Sequence, residues 1–380
     1  MSNILVIGGG MVGGVIARDL SEKFDVTVAD VSNTRLKLLK KRYPSLTTME
    51  LDVADFEAVK NAVNPFDIVV CGVPGHLGFK ALKNIIESGK NVVDISFSPE
   101  NCLELDYLAK KHKVTAVIDA GVAPGMDNLL LGFHNTRMQV SHFECLVGGL
   151  PKIRKKPFEY KAAFSPIDVI EEYTRPARFF EHGRMMTREA LSDREIVEFD
   201  RIGTLEAFNT DGLRSLMFTM NNVPNMKEKT LRYPGHVDAI RTLKASGFFS
   251  KEKVSVRGLE VTPLEVTSEI LINEWKLKPK EEEFTIMRVT ISGQEGEKNK
   301  EYVYTMYDEY DKVKHETSMA RTTGFTANAV CQLLLKGKFD KKGVFAPEHI
   351  GGHTDCCKTV LDYLEERKVR YRLEENVLST

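Results

Sequence analysis

The stretch "NILVIGGGMVGGVIARDL", residues 3–20, constrains this chain more than any other. Asn3 to Ile7 is a short apolar run rich in branched residues, the mark of a strand buried on both faces. Gly8, Gly10 and Gly13 follow at G-x-G-x-x-G spacing. Val12, Ile16 and Leu20 then recur every four residues, which is one face of a helix. Strand, tight turn and helix in this order give the glycine spacing its meaning. Gly8 permits the turn, Gly10 lets the backbone approach a pyrophosphate, and Gly13 lets helix and strand pack closely. The free N–H groups at the helix start then face the phosphates of a dinucleotide.

The next strand, "DVTVAD", ends at Asp30, where an acid can hydrogen-bond the adenosine ribose hydroxyls and repel a 2′-phosphate. On this basis the expected cofactor is NAD rather than NADP. Arg35, near enough in sequence to meet a phosphate, is read as a solvated residue of the following helix. The alternation continues through "TTMELDV", "FDIVVCGVP", "NVVDISF" and "VTAVIDAG", each separated by a helical pattern, with Asp55 as a helix cap. Six strands alternating with helices describe a doubly wound parallel sheet, an α/β Rossmann domain, whose ligands bind beyond the carboxyl ends of the strands. The cofactor set expected there is Gly8, Gly10, Met11, Val12, Gly13, Asp30, Asp52, Val53, Cys71, Gly72, Val73, Pro74, Asp94 and Ser96.

With 380 residues the chain is too long for one ordinary core, and two domains are expected. A formal net charge of −1 provides no basic field for nucleic acid or an anionic membrane. "KIRKK", Lys152 to Lys156, reads as a solvated loop because no aromatic residue is interleaved. No apolar run reaches the roughly 20 residues of a membrane span, and the N-terminus lacks the pattern of a signal peptide. Six scattered cysteines fit a reducing compartment, and the expected location is the cytoplasm. No metal site is expected. The cluster His349, His353, Cys356, Cys357 sets its two thiols side by side, without the spacer that lets both reach one ion.

Beyond Gly125 the pattern loosens. "HFECLVGGLP", "KVSVRGLEVTP", "EEFTIMRVTISG" and "KEYVYTMYDEYD" read as strands, the last two joined as a hairpin. This indicates a largely antiparallel or mixed sheet covered by helices. Helical patterns return at "MARTTGFTANAVCQLLLKGKF" and "TDCCKTVLDYLEERK".

Taken together, "GGGMVG", "GVAPGM" (121–126), "VGGLP" (147–151), "TLRYPGH" (230–236) and "MARTTGFTA" (319–327) resemble the saccharopine dehydrogenase family, and within it L-lysine 6-dehydrogenase. The resemblance runs nearly end to end. It implies a Rossmann domain of residues 1–121 completed by C-terminal helices from 319–380. A central substrate and subunit-contact domain would span 122–318, in a homodimer or homotetramer. Saccharopine-forming relatives typically carry Asp-Pro-Gly, Cys-Gly-Gly and Asn-Arg-Asp where this chain has Ala123-Pro124-Gly125, Val147-Gly148-Gly149 and Asn209-Thr210-Asp211. These departures point toward NAD-dependent oxidative deamination of the lysine ε-amine. A saccharopine dehydrogenase, a related semialdehyde–amine condensing enzyme and a non-catalytic NAD-binding protein are the alternatives.

For a lysine-type substrate, Arg232 is the candidate for the α-carboxylate, since a guanidinium offers a planar fork of donors. A structural salt bridge is its bland reading. His236 is the candidate for proton transfer, with a helix-capping turn as its alternative. Asp94 can attract the ammonium or act as base, or bond backbone at a strand end. Tyr160, Asp127, Thr210 and Asp211 are expected to line the pocket, and Arg214 or Arg201 to replace the arginine absent at position 210.

Overall fold

The computed structural model describes residues 2–163 and 166–378. Its first part alternates β1 (Asn3–Ile7), α1 (Met11–Leu20), β2 (Asp25–Asp30), α2 (Asn33–Arg42), β3 (Thr47–Glu50), α3 (Phe56–Val63) and β4 (Ile68–Cys71). It continues with α4 (Gly75–Glu87), β5 (Asn91–Asp94), α5 (Asp106–His112) and β6 (Thr115–Val117). A further strand, Gly343–Phe345, joins beside β6. The seven-stranded sheet is parallel throughout, in the order Gly343–Phe345, β6, β5, β4, β1, β2, β3. β4 lies on one side of β1 and β2 on the other, so the switch point of the sheet falls at the carboxyl ends of β1 and β4, where such sheets bind ligands.

The two faces of this sheet feed different cores. Leu5, Val69 and Val92 meet Ala81, Leu82 and Ile85 of α4 on one side. Ile4, Val6 and Val28 meet Ile16 and Leu20 of α1 on the other. A side chain buried to that extent contributes about 1.5–3 kcal/mol. The C-terminal helix Ser318–Leu335 closes this second face against α1. There Asn328 Nδ2 donates to Ile16 O at 3.2 Å and to Asp19 at 2.8 Å.

After α6 (Met126–Asn135) the chain enters β7 (Gln139–Pro151), the centre of a nine-stranded mixed sheet. The path runs Glu195–Phe199, Gly203–Asn209, Met226–Arg232, β7, Glu283–Glu295, Lys298–Glu309 and Tyr371–Leu378, while Ala177–Glu181 pairs with Met226–Arg232 off this path and with Arg184–Arg188. Of these pairs only Met226–Arg232 with β7 is parallel. α7 (Pro166–Thr174) and the helices His236–Ala245 and Pro263–Trp275 cover one face, with Tyr173, Val237, Ile240, Leu271 and Trp275 packed on Leu146, Leu205 and Leu231.

Three details differ from the sequence reading. Met226–Arg232 is a strand, although its Lys/Glu-rich sequence carries no apolar alternation. "KVSVRGLEVTP" folds as a small separate hairpin, Val254–Val256 with Leu259–Val261, because Arg257-Gly258 turns the chain at positive φ. The last strand, Tyr371–Leu378, pairs with Lys298–Glu309 in the second sheet, so the segment from 319 onward serves both sheets and not the first alone. Among the described residues, no helix is long and apolar enough to cross a membrane.

Candidate active site

A cavity of about 820 Å³ runs from the carboxyl ends of β1, β2 and β4 to the face of the second sheet. At its first end the glycines divide the work. A Cβ on Gly13 would stand 1.8 Å from Gly8 O, and one on Gly8 2.3 Å from Gly72 O, so helix, turn and neighbouring strand are in contact there. A Cβ on Gly10 would meet nothing within 4 Å. α1 begins with Gly10 as an N-cap that has no side chain to satisfy the first N–H groups. This cradle fits the pyrophosphate of a dinucleotide. Met11, Val12, Asp52, Val53, Gly72, Val73, Pro74 and Ser96 line the same end. Cys71 and Asp94 do not line it. Both are buried behind the wall, and Asp94 accepts from Ser96 Oγ at 2.8 Å and Ser96 N at 3.2 Å. Burial raises the Asp94 carboxyl to about 7, against those hydrogen bonds.

At the far end the strand Met226–Arg232 presents Glu228, Thr230 and Arg232 to the cavity at every second position. Val147 and Gly149 face it from β7, and Thr210, Asp211 and Gly212 from the turn after Gly203–Asn209. Asp168, Glu171, Glu172 and Arg175 come from α7 and its end, and Asn273 and Lys276 from the end of Pro263–Trp275.

Most of these charges already have partners. Arg232 donates through Nε to Tyr173 Oη (3.0 Å), through Nη1 to Leu231 O (2.9 Å), and through Nη2 to Glu172 (3.1 Å) and Tyr160 Oη (3.4 Å). It lies 4.3 Å over the Tyr160 ring. Asp211 is held in two bonds by Arg178, at 2.8 and 2.7 Å. Thr210 Oγ1 bonds Thr230 Oγ1 at 3.0 Å. Two groups stand apart: Nη1 of Arg175 and Oε2 of Glu228 are buried with no hydrogen-bond partner. Burial, reinforced by Asp127, Glu172 and Asp211, holds the Glu228 carboxyl well above its ordinary range, and Arg214 opposes this.

Several expected residues lie elsewhere. His236, the first residue of its helix, does not reach the cavity. Its Nε2 bonds Tyr173 Oη at 2.9 Å and its Nδ1 bonds Phe158 O at 2.8 Å. Burial and the nearby Arg232 lower it to about 3, so it is neutral near pH 7 and walled off from substrate. Tyr160 and Asp127 also stand behind the lining, Asp127 accepting from Gly125 N at 2.9 Å. Arg214 is engaged by Asp119 (3.3 Å) and by the Ser98 carbonyl, and Arg201 sits exposed in the turn after Glu195–Phe199. Glu228 and Arg175 were not found from sequence. The polar alternation Glu-x-Thr-x-Arg at 228–232 is the signal that marks the first, once that segment is known to be a strand.

Two family models match this chain: the saccharopine dehydrogenase C-terminal domain over residues 121–369 and the saccharopine dehydrogenase NADP binding domain over residues 4–117. The chain belongs to the saccharopine dehydrogenase family. It is similar to the mitochondrial alpha-aminoadipic semialdehyde synthase of Mus musculus, 24% identical over 277 residues, covering 69% of this chain and 30% of that protein. It is also similar to the saccharopine dehydrogenase [NADP(+), L-glutamate-forming] of Schizosaccharomyces pombe, 25% identical over 288 residues, covering 71% of this chain and 64% of that one. The matches thus span less than two thirds of these relatives' lengths. The fold matches that of apo saccharopine dehydrogenase (L-Glu forming) from Saccharomyces cerevisiae, with a TM-score of 0.79 over 100% of both chains at 18% identity.

The NADP binding domain model corrects the expectation of NAD drawn from Asp30. The structure supplies a physical reason. Asp30 accepts from Gly9 N at 2.8 Å and from Ser32 N at 2.7 Å, so each of its oxygens already accepts one bond from the turn. Arg35, expected to be solvated only, lines the cavity with Nη1 4.0 Å from that carboxylate. An arginine at this place accommodates a 2′-phosphate.

Proposed function

We propose that this protein is an NADP-dependent oxidoreductase acting on the C–N bond of an amino acid, with saccharopine as its substrate and glutamate as one product. The observation that carries the reading is that the substrate end of the dinucleotide cleft holds a buried Glu228 Oε2 and a buried Arg175 Nη1 without partners, while Arg175 Nη2 reaches Glu171 at 3.5 Å. The Glu228 carboxyl suits an amine and the Arg175 guanidinium suits a carboxylate. These are the two functional groups of an amino acid. The names of the S. pombe and other fungal relatives favour saccharopine and NADP.

NADP, when bound, supplies the hydride acceptor for carbon in the oxidative direction and the donor in the reverse. Gly8, Gly10 and Gly13 would hold its pyrophosphate, and Arg35 its 2′-phosphate. Arg232 is already engaged, so Lys276 and the Nη1 edge of Arg175, whose Nη2 meets Glu171 at 3.5 Å, are the groups assigned to substrate carboxylates. Arg232 instead orients Tyr160, Tyr173 and Glu172. Burial raises Glu172 to about 7 despite Arg232, which makes it a second carboxyl able to exchange protons near neutrality.

Deamination of the lysine ε-amine is the second reading. Its support is that all three departures from the saccharopine-forming pattern, Ala123, Val147 and Thr210, line this one cavity. Purified protein offered saccharopine or lysine with NADP, while reduced dinucleotide is followed, distinguishes the readings. Turnover of saccharopine supports the first, and turnover of lysine alone replaces it with the second.

A further inference from the structure

Glu228 is set up as more than a wall of the cavity. It lies on the central strand Met226–Arg232, facing the cavity, and is 6% exposed. Room is made for it on the neighbouring segment. A Cβ on Gly212 would fall 2.0 Å from its carboxyl carbon, so any side chain there would displace the carboxyl. The cations around it are engaged by other acids: Lys227 by Glu144, Lys229 by Glu195, Arg232 by Glu172 and Arg214 by Asp119. A buried acceptor left without a partner destabilises the fold. A fold that retains this cost at a cavity wall leaves the group available to a ligand.

We infer that Glu228 is the catalytic acid–base that exchanges a proton with the substrate nitrogen, and that Asp127 tunes it from behind. In the C–N-forming direction the Glu228 O–H bond breaks and an N–H bond forms on the substrate nitrogen, whose lone pair takes the proton, leaving a carboxylate. In the oxidative direction that carboxylate takes the proton from the substrate ammonium, restoring the nitrogen lone pair. The dinucleotide, when bound, would supply the hydride chemistry at carbon as in the proposed function, on which this inference rests.

The groups facing Glu228 agree with this role. Asp127 from α6, Glu172 from α7 and Asp211 from the 210–212 turn all disfavour its ionised form, and Arg214 opposes them. Cys145 stands opposite it in the register with β7, and burial and Asp127 keep that thiol neutral. Asp127 itself has an unpartnered buried Oδ2, and burial raises it to about 7. Two buried carboxyls influencing one another resist double ionisation, so the pair retains a proton where a lone exposed acid would have lost it.

The test compares wild type, Glu228→Gln and Glu228→Asp. In Glu228→Gln, kcat in the reductive direction is expected to fall by roughly 100-fold or more while NADPH affinity stays within about twofold. The wild-type loss of rate at alkaline pH, where the acid ionises, disappears in Glu228→Gln and persists at lower kcat in Glu228→Asp. A second readout needs no turnover. At neutral pH the wild-type minus Glu228→Gln infrared difference spectrum should contain a neutral carboxylic acid band, over and above those of the other buried carboxyls, and that band should be lost when glutamate is added. Wild-type turnover together with an unchanged pH profile in Glu228→Gln, or with no such band, overturns the inference. A difference band that responds to glutamate in a protein with no turnover of saccharopine overturns the proposed reaction while leaving the proton-holding role standing. If Glu228→Gln does not fold, the Glu228→Asp profile and the change in the wild-type spectrum on adding glutamate decide the matter.

Discussion

The carboxyl carbon of Glu228 occupies the space that a Cβ on Gly212 would need, with only 2.0 Å between the two positions. The glycine is therefore part of the site although it carries no chemistry of its own. Gly212→Ala is expected to displace the carboxyl and lower kcat, with NADPH affinity unchanged. Overpacking of this kind costs typically about 1–3 kcal/mol of stability. Paired kinetics and thermal unfolding measure both effects, and a variant with wild-type kcat would show that the carboxyl position does not matter.

Arg35 stands beside Asp30 at the adenosine end of the cleft. Charge-assisted bonds from a guanidinium to phosphate contribute about 1.5–3 kcal/mol, so Arg35→Ala should weaken NADPH binding by roughly 10- to 100-fold and leave NADH binding nearly unchanged. Fluorescence titration with both dinucleotides is the check. Equal losses for the two would remove Arg35 from the 2′-phosphate.

Arg175 leaves one buried donor nitrogen without a partner at the substrate end, and Phe97 lies 5.6 Å from its guanidinium carbon. Arg175→Gln is expected to raise KM for the amino-acid substrate by roughly 10-fold or more, with a smaller effect on kcat. A large fall in kcat at unchanged KM would contradict a carboxylate-binding role.

His236 is a structural histidine in this account. It stays neutral in the folded protein down to about pH 3, whereas the unfolded chain protonates it near its ordinary value of 6.5. The unfolded state therefore binds the extra proton as pH falls below 6.5. His236 removes stability across that window, at a limiting slope of about 1.4 kcal/mol per pH unit. His236→Gln should flatten the dependence between pH 6.5 and the acid limit, and leave the pH–rate profile unchanged apart from any general loss of folded protein. Urea unfolding at several pH values reads the first effect and steady-state kinetics the second.

The strand–turn–helix frame proposed to hold the cofactor was legible in the sequence because it is built locally. Strand, glycine turn and helix follow one another in residues 3–20, and the same residues form the cradle in space. Asp30 misled because its identity is visible and its hydrogen bonds are not. Gly9 N and Ser32 N each donate to one of the oxygens expected to meet a ribose, and Arg35 stands beside them. The substrate half brings together 147–149, 168–175, 210–212 and 226–232, segments joined only by sheet pairing. Sequence spacing does not show that His236 turns inward to Tyr173, that Arg232 is enclosed by its own partners, or that Glu228 has none.

The central claim, an NADP-dependent reaction at an amino-acid C–N bond, is tested most directly by one measurement. Initial rates of dinucleotide reduction are compared for saccharopine and lysine, each with NADP and with NAD. The account predicts turnover of saccharopine, with kcat/KM for NADP at least about 10-fold above that for NAD, consistent with about 1.4 kcal/mol or more from one phosphate contact. Preference for NAD, or no reduction with either amino acid, would contradict it.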